Sequence, residues 1–127
     1  MISFFEKHNK LSIIIALLIA LLIFYVSTRT AEEITEGIEI KIYLWETVVY
    51  HFVIFFLLCF FLCFSLVRGK PKRKYFILVV VIITIIYGIT DEIHQLFVPG
   101  RVSDMTDVLT DAAGVVLAGI IYWLKIH

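Results

Sequence analysis

Long uninterrupted apolar runs are the feature that most limits what this chain can fold into. Three strong runs cover residues 11–26, 48–67 and 75–90, and a weaker fourth run, residues 108–124, carries one acid. A helix that crosses the lipid core needs about 20 mostly apolar residues. Open sheets and irregular loops leave backbone groups unpaired in lipid. We therefore predict an all-α, four-transmembrane-helix bundle, with helices near residues 9–28, 45–67, 74–97 and 105–125.

Composition supports a membrane protein with a single domain. The chain has 127 residues, of which 61% are hydrophobic, whereas soluble domains are about 45–50% apolar. This length allows one domain, residues 1–127. The formal net charge is zero, so nothing points to nucleic acid as a partner. The lipid bilayer is the partner that this composition predicts.

The first apolar run also has features of a secretory signal peptide. Lys7 and Lys10 precede it, as in the basic region of such a signal. However, the segment YVSTRTA that follows lacks a good small-x-small cleavage site, because Tyr25 or Arg29 stands at the critical place. We therefore interpret this run as a transmembrane helix.

Basic residues predict the orientation in the membrane. The segment RGKPKRK, residues 68–74, carries five basic residues and no acid, whereas residues 27–44 carry four glutamates. The positive-inside rule therefore places both termini and residues 68–74 in the cytoplasm, and the other two loops outside. Recognition of lipid headgroups is the alternative role for the basic segment. Aromatic residues near the helix ends are expected to be interfacial anchors; they are Tyr43, Trp45, Tyr122 and Trp123.

Polar residues of three predicted helices fall at one depth. At about 1.5 Å per residue, His51, Asp91 and Asp111 each lie about 9–10 Å from the outer end of their helix. Helical periodicity also places polar and small residues in one stripe on each of the last two helices. The stripes are Thr84, Gly88, Asp91 and Gln95, and Asp104, Asp107, Asp111, Gly114, Ala118 and Tyr122. We expect these groups to line a bundle interior or a cavity that opens outward.

Several of these residues also have purely structural interpretations. Asp104, and Asp107 in the following turn, would stabilise the start of the fourth helix, and Pro99 with Gly100 is typical of a turn. His51 could be a polar contact between helices. Cys59 and Cys63 are interpreted as packing residues. By contrast, an acid at the centre of a membrane helix costs about 2.5–3.5 kcal/mol. A structural role therefore explains Asp91, Glu92 and Asp111 least well.

Two blocks of the chain resemble the VanZ-like membrane proteins. Residues 91–119 follow the pattern D-E-x-x-Q-x-F-x-P-x-R, then an acid, then D-x-x-x-N-x-x-G, and residues 51–56, HFVIFF, are similar to the family's H-F-x-x-[YF]-F block. Asp111 stands where the family usually has asparagine, and Ile54 stands where it often has an acid or a small residue. The matching residues are His51, Phe52, Phe56, Asp91, Glu92, Gln95, Phe97, Pro99, Arg101, Asp104, Asp107 and Gly114.

This resemblance implies a multi-pass protein of the bacterial plasma membrane. The founding member is linked to resistance against teicoplanin, a lipid-tailed glycopeptide that acts at the outer membrane face, and no settled biochemical activity comes with the family. An occasional label as a phosphotransbutyrylase fits poorly, because the polar residues face outward and provide no soluble acyl-CoA site. We expect a lipid-linked cell-wall precursor or a lipoglycopeptide as the partner, and we assign no cofactor and no metal.

Three functions follow from these residues. The first is recognition of a lipid-anchored molecule at the outer face, in which Arg101 would pair with a carboxylate or phosphate. The predicted binding residues are His51, Asp91, Glu92, His94, Gln95, Arg101, Asp104, Asp107 and Asp111.

The second is an intramembrane hydrolase or transferase acting on a cell-wall lipid. Its catalytic candidates are Asp91, Glu92 and His94, with His51 as a further base. In a variant of this function a metal is held by His51, His94 and a carboxylate, although no compact motif such as H-E-x-x-H is present. The third function is a structural bundle that assembles with other membrane proteins and tolerates asparagine or glutamine in place of its acids.

Overall fold

In the part of the chain that the structure describes, every regular secondary-structure element is a helix. The structure is a computed structural model, and it describes residues 2–30 and 40–127. The four glutamates predicted for an outward loop, and the side chains of Tyr43 and Trp45, lie outside the described residues. The helices are α1 (Ile2–Lys7), α2 (Asn9–Ser27), α3 (Ile40–Leu66), α4 (Tyr75–Gln95) and α5 (Met105–Ile126), with a 3-10 turn at Pro71–Arg73.

Four of these helices are long and apolar enough to cross a membrane. They are α2, residues Thr47–Leu66 of α3, α4 and α5. The prediction of an all-α bundle with four transmembrane helices is therefore confirmed. The predicted boundaries agree within two residues, except that α3 begins at Ile40, five residues earlier than predicted. The short helix α1 was not predicted.

Local sequence explains where the helices end. Arg68 and Gly69 follow α3 with φ of 55° and 62°, a left-handed conformation that terminates helices. After α4, Gly100 adopts φ of 75° and completes the predicted Pro-Gly turn. Asp104 caps α5, because its carboxylate accepts a hydrogen bond from the backbone N–H of Thr106 at 2.9 Å. The capping role predicted for Asp104 is thus confirmed.

The pair α3 and α5 forms the closest seam of the bundle. A Cβ atom built at Gly114 would lie only 2.4 Å from the backbone oxygen of Phe52. The two backbones therefore approach to a distance that only glycine allows at this position. Helices α2 and α4 pack on the same α3. The core between them includes Ala16, Ile23, Phe55, Val115 and the free thiols Cys59 and Cys63.

Tyr122 ties together one end of the bundle. The expectation that it is an interfacial anchor is wrong, because its side chain is 0% exposed. Its hydroxyl donates to the carboxylate of Glu6 at 2.7 Å and accepts from the backbone N–H of Gly69 at 3.0 Å. Glu6 also pairs with Lys125. The N-terminal helix, the turn after α3 and the end of α5 therefore meet at the same end.

Candidate functional site

Polar side chains from three spans are buried at the other end of the bundle, about 16 Å along α5 from Tyr122. Helix α3 contributes His51, which is 2% exposed. Helix α4 contributes Asp91, Glu92 and Gln95, and α5 contributes Asp111, and all four are buried. We use the name polar cluster for His51, Asp91, Glu92, Gln95, Arg101, Asp107 and Asp111.

His51 and Asp111 form the central contact of the polar cluster. The Nδ1 atom of His51 lies 2.9 Å from Oδ1 of Asp111, and both side chains are almost completely buried. When the Asp111 carboxylate is ionised it only accepts hydrogen bonds, and Nδ1 of His51 then carries the proton. The other ring nitrogen, Nε2, is 3.8 Å from Oδ2 of Asp107, one helical turn before Asp111. The two aspartates of α5 therefore lie on the two sides of one imidazole ring.

A second chain of hydrogen bonds runs from α4 to the following loop. The amide of Gln95 donates to Oδ2 of Asp91 at 3.1 Å. Nη2 of Arg101 donates to Oε1 of Gln95 at 2.8 Å. Gln95 thus connects the half-buried guanidinium to the buried carboxylate. The remaining guanidinium N–H groups make no hydrogen bond to another described residue.

Glu92 turns toward the start of α5. Its Oε2 atom accepts a hydrogen bond from the backbone N–H of Asp104 at 3.2 Å. Its Oε1 atom is buried and has no hydrogen-bond partner among the described residues. His51, Glu92 and Asp107 each offer one ligand atom, and these three atoms lie within 4.8 Å of one another. They are the described residues whose geometry could hold a metal ion.

Two predicted site residues lie outside this arrangement. Asp104 is exposed and its carboxylate is used as a helix cap. His94 stays a predicted site residue, and its ring packs on Phe24 of α2, with ring centroids 5.2 Å apart. The physical reason is helical rotation: three residues after Asp91, the side chain is turned by about 60°. That rotation directs it at α2 and away from the seam between α3 and α5.

Comparison with known proteins assigns the chain to a family. A model of the VanZ/LLP1 family matches residues 11–126. The chain belongs to the VanZ/LLP1 family. This match covers both sequence blocks described above, so the predicted family is confirmed. No match was found among curated proteins or among solved structures.

In this VanZ/LLP1 protein the structure adds two polar residues that the sequence pattern did not select. The ring of Tyr50 contacts His51 edge-on, with centroids 5.6 Å apart, and its hydroxyl is buried with no partner among the described residues. Ser27 ends α2 and is buried in the same way. The pattern did not select Tyr50 because it lies among other aromatic residues, and it did not select Ser27 because Ser27 lies one residue beyond the apolar run. A search for polar residues at the corresponding ends of all four helices would have found both.

Glycine allows Asp111 to reach the polar cluster. A Cβ atom at Gly88 would lie 3.1 Å from Oδ2 of Asp111 and 3.3 Å from the ring of Phe55. The carboxylate therefore rests against the α4 backbone while it holds His51. Of the two glycines predicted to lie in the helix stripes, Gly88 allows close packing around this carboxylate, and Gly114 allows the close approach of α5 to the α3 backbone at Phe52.

An apolar groove between α4 and α5 is separate from the polar cluster. It has a volume of about 360 Å³, and residues such as Ile77, Val81, Gly119 and Trp123 line it. Lys74 at its edge is its charged side chain. The groove therefore matches acyl chains of the bilayer better than a polar ligand.

Proposed function

We propose that this multi-pass protein resides in the bacterial plasma membrane and binds a lipid-anchored cell-envelope molecule, or a lipoglycopeptide antibiotic of the teicoplanin type, through its polar cluster. The observation that carries the proposal is the burial of His51, Asp91, Glu92 and Asp111 at one end of three spans. An acid at a helix centre costs about 2.5–3.5 kcal/mol in membrane insertion. A bundle with no polar ligand would gain little from several such residues.

The orientation supports a ligand on the outer side. Residues 68–74 are strongly basic, and Gly69 is bonded to Tyr122 at the end that also holds Glu6. The positive-inside rule favours the cytoplasm for this end and for both termini. The polar cluster then faces the outer surface, in a single domain of residues 1–127.

Charge and geometry suggest how such a ligand would bind. Arg101 follows α4 in the loop, and it is held by Gln95 while the rest of its guanidinium fork remains available for a carboxylate or a phosphate. The acids beside it would accept hydrogen bonds from amines or amides. The lipid portion of the ligand would stay in the bilayer next to the exposed apolar surfaces of the helices.

Binding measurements with the purified protein in lipid nanodiscs test this proposal. Teicoplanin and a lipid-linked cell-wall precursor are titrated against wild type, Arg101→Ala and Glu92→Ala. Loss of a charged hydrogen bond costs about 1.5–3 kcal/mol, so Kd should rise roughly 10- to 100-fold. Lys72→Ala, in the exposed basic segment, is the matched control and should bind as wild type. Unchanged binding and unchanged antibiotic resistance in both cluster variants would refute the proposal.

The alternative is an intramembrane hydrolase or transferase acting on a cell-wall lipid. The His51–Asp111 pair favours it, because a carboxylate that orients an imidazole is a common arrangement for acid–base catalysis. In this function His51 acts with Asp91 or Glu92, whereas His94 is directed elsewhere. Mass spectrometry of the precursor after incubation separates the two functions. An enzyme changes the mass of the lipid and loses this activity in His51→Gln, whereas a binding protein leaves the lipid intact.

A further inference from the structure

We propose that His51, Glu92 and Asp107 bind one divalent transition-metal ion, for which Zn²⁺ is the probe. The three residues come from α3, α4 and α5, and their ligand atoms lie within 4.8 Å of one another. Imidazole nitrogen and carboxylate oxygen are both zinc ligands. The inference goes beyond the proposed function, because the ion could bind whether or not the site recognises a lipid-linked ligand.

The histidine is prepared for a metal by its contact with Asp111. Nδ1 lies 2.9 Å from that carboxylate, and when a neutral ring donates from Nδ1 its lone pair is on Nε2. Metal-bound histidines usually donate their second nitrogen to a carboxylate in this manner, which fixes the ring orientation and increases its basicity. Nε2 lies 3.8 Å from Oδ2 of Asp107. Two ligand atoms about 2.1 Å from a shared tetrahedral zinc ion are about 3.4 Å apart, so a small side-chain movement completes this geometry.

Glu92 supplies independent support. It is 2% exposed, and its Oε1 atom has no hydrogen-bond partner among the described residues. The other oxygen is held by the backbone N–H of Asp104, which orients the carboxylate. A buried carboxylate oxygen without a partner is costly, and a cation at this position would satisfy it.

The balance of charge points in the same direction. The polar cluster contains four carboxyl groups, on Asp91, Glu92, Asp107 and Asp111, whereas Arg101 is its permanently charged cation and His51 its one imidazole. A divalent ion next to Glu92 and Asp107 would offset the negative charges of a buried and a half-buried carboxylate. Three protein ligands also leave a coordination position for water or for a ligand oxygen, as in catalytic zinc sites.

Metal titration of the full chain in detergent, without lipid precursor or antibiotic, tests the site. The protein is stripped with a chelator, and Zn²⁺ binding is measured by elemental analysis and by competition with a chromogenic chelator. We expect one ion per chain. Loss of an outer-shell partner alone weakens metal affinity about 10- to 100-fold, so Glu92→Gln and Asp107→Asn should each raise Kd by at least about 100-fold.

Asp104→Asn is the control, because this exposed carboxylate lies at the same end of the bundle and asparagine also caps helices. It should bind zinc as wild type does. Helicity and monodispersity are compared for every variant, so a folding defect is recognised. Substoichiometric zinc in the wild type, or equal affinity in Glu92→Gln, Asp107→Asn and the control, would overturn the inference. Because no lipid or antibiotic is present, failure of the proposed recognition would leave a positive zinc result intact.

Discussion

The close approach of α3 and α5 at Gly114 gives the sharpest prediction for stability. In Gly114→Ala the new Cβ atom would lie 2.4 Å from the Phe52 backbone oxygen, whereas ordinary van der Waals contact begins at 3.4 Å. The seam must therefore open by about 1 Å at this point, because a backbone carbonyl inside a helix cannot rotate away. Overpacking of this kind costs about 1–3 kcal/mol, and we expect the upper half of that range.

The separation of α3 and α5 at Gly114 should also disturb the polar cluster. His51 and Asp111 lie one turn or less from the clash, on the same two helices, and their hydrogen bond is 2.9 Å long. A separation of about 1 Å stretches it to about 3.9 Å unless the side chains follow, and a contact of 3.6 Å is no longer a hydrogen bond. Gly114→Ala should therefore weaken ligand or metal binding as well as the fold.

Gly119→Ala is the matched control on the same helix. Its Cβ atom would meet Cγ2 of Val81 at 2.8 Å, which is a contact with a half-buried side chain and not with a backbone. Alanine is favoured over glycine inside a helix by about 0.8–1.0 kcal/mol. Both variants receive that gain, so the difference between them compares a backbone clash at Gly114 with a side-chain contact at Gly119.

The assay is unfolding in mixed micelles, followed by circular dichroism against increasing denaturing detergent. Gly114→Ala should be less stable than Gly119→Ala by about 1–3 kcal/mol. Equal unfolding midpoints for the two alanine variants would refute the argument from backbone contact. A Gly114→Ala protein with wild-type stability and wild-type binding would show that the seam is looser than described.

Three further predictions concern tyrosines and orientation. Tyr122→Phe removes two hydrogen bonds at the opposite end of the bundle and should lower the unfolding free energy by about 1–3 kcal/mol. The control is Tyr75→Phe, whose side chain is 61% exposed, and it should cause no measurable loss of stability. Tyr50→Phe should change stability by less than about 0.5 kcal/mol, because its buried hydroxyl has no described partner; a larger loss measured in the same assay would show that the hydroxyl stabilises the fold. A cysteine introduced at Gly100 should react with a membrane-impermeant maleimide in intact cells, and one introduced at Lys72 should react only after permeabilisation. The native Cys59 and Cys63 are buried and should not react. The reverse labelling pattern would invert the proposed orientation.

The spans and their inward faces could be predicted from the sequence because lipid imposes a simple rule. Apolar runs of sufficient length must be helices, and the periodicity of α4 and α5 then selects the buried sides of Asp91, Gln95 and Asp111. All three are buried as the stripes predicted. Stripe membership was less informative for Asp107, which is half-buried, and for Asp104, which is exposed, because polar residues near a helix start can face solvent.

Other features depend on neighbours that periodicity does not specify. His94 lies about 60° from Asp91 on α4, and only the position of Phe24 on α2 decides that its ring leaves the cluster. Glu92 is turned by about 100°, yet it is buried because the start of α5 folds back to meet it. Tyr122 resembled an interfacial anchor because its contact with Glu6 could not be predicted. Glu6 belongs to a short helix that has no apolar run, so the sequence pattern did not indicate that helix.

The distribution of unpartnered polar atoms distinguishes a binding site from a structural seam. At the Tyr122 end, the tyrosine hydroxyl, Glu6 and Lys125 satisfy one another. Within the described residues, the buried side-chain atoms without a hydrogen bond all belong to residues at the polar-cluster end, namely Ser27 Oγ, Tyr50 Oη, Glu92 Oε1, His94 Nε2 and Asp111 Oδ2. Buried polar groups in a purely structural network are normally paired, because each unpaired group costs free energy. Neutral residues could hold α3, α4 and α5 together at a lower cost. The unpaired buried polar groups, with their cost in free energy, are concentrated at one end of the bundle. This distribution favours a site that binds water, an ion or a ligand over a bundle whose acids serve only assembly.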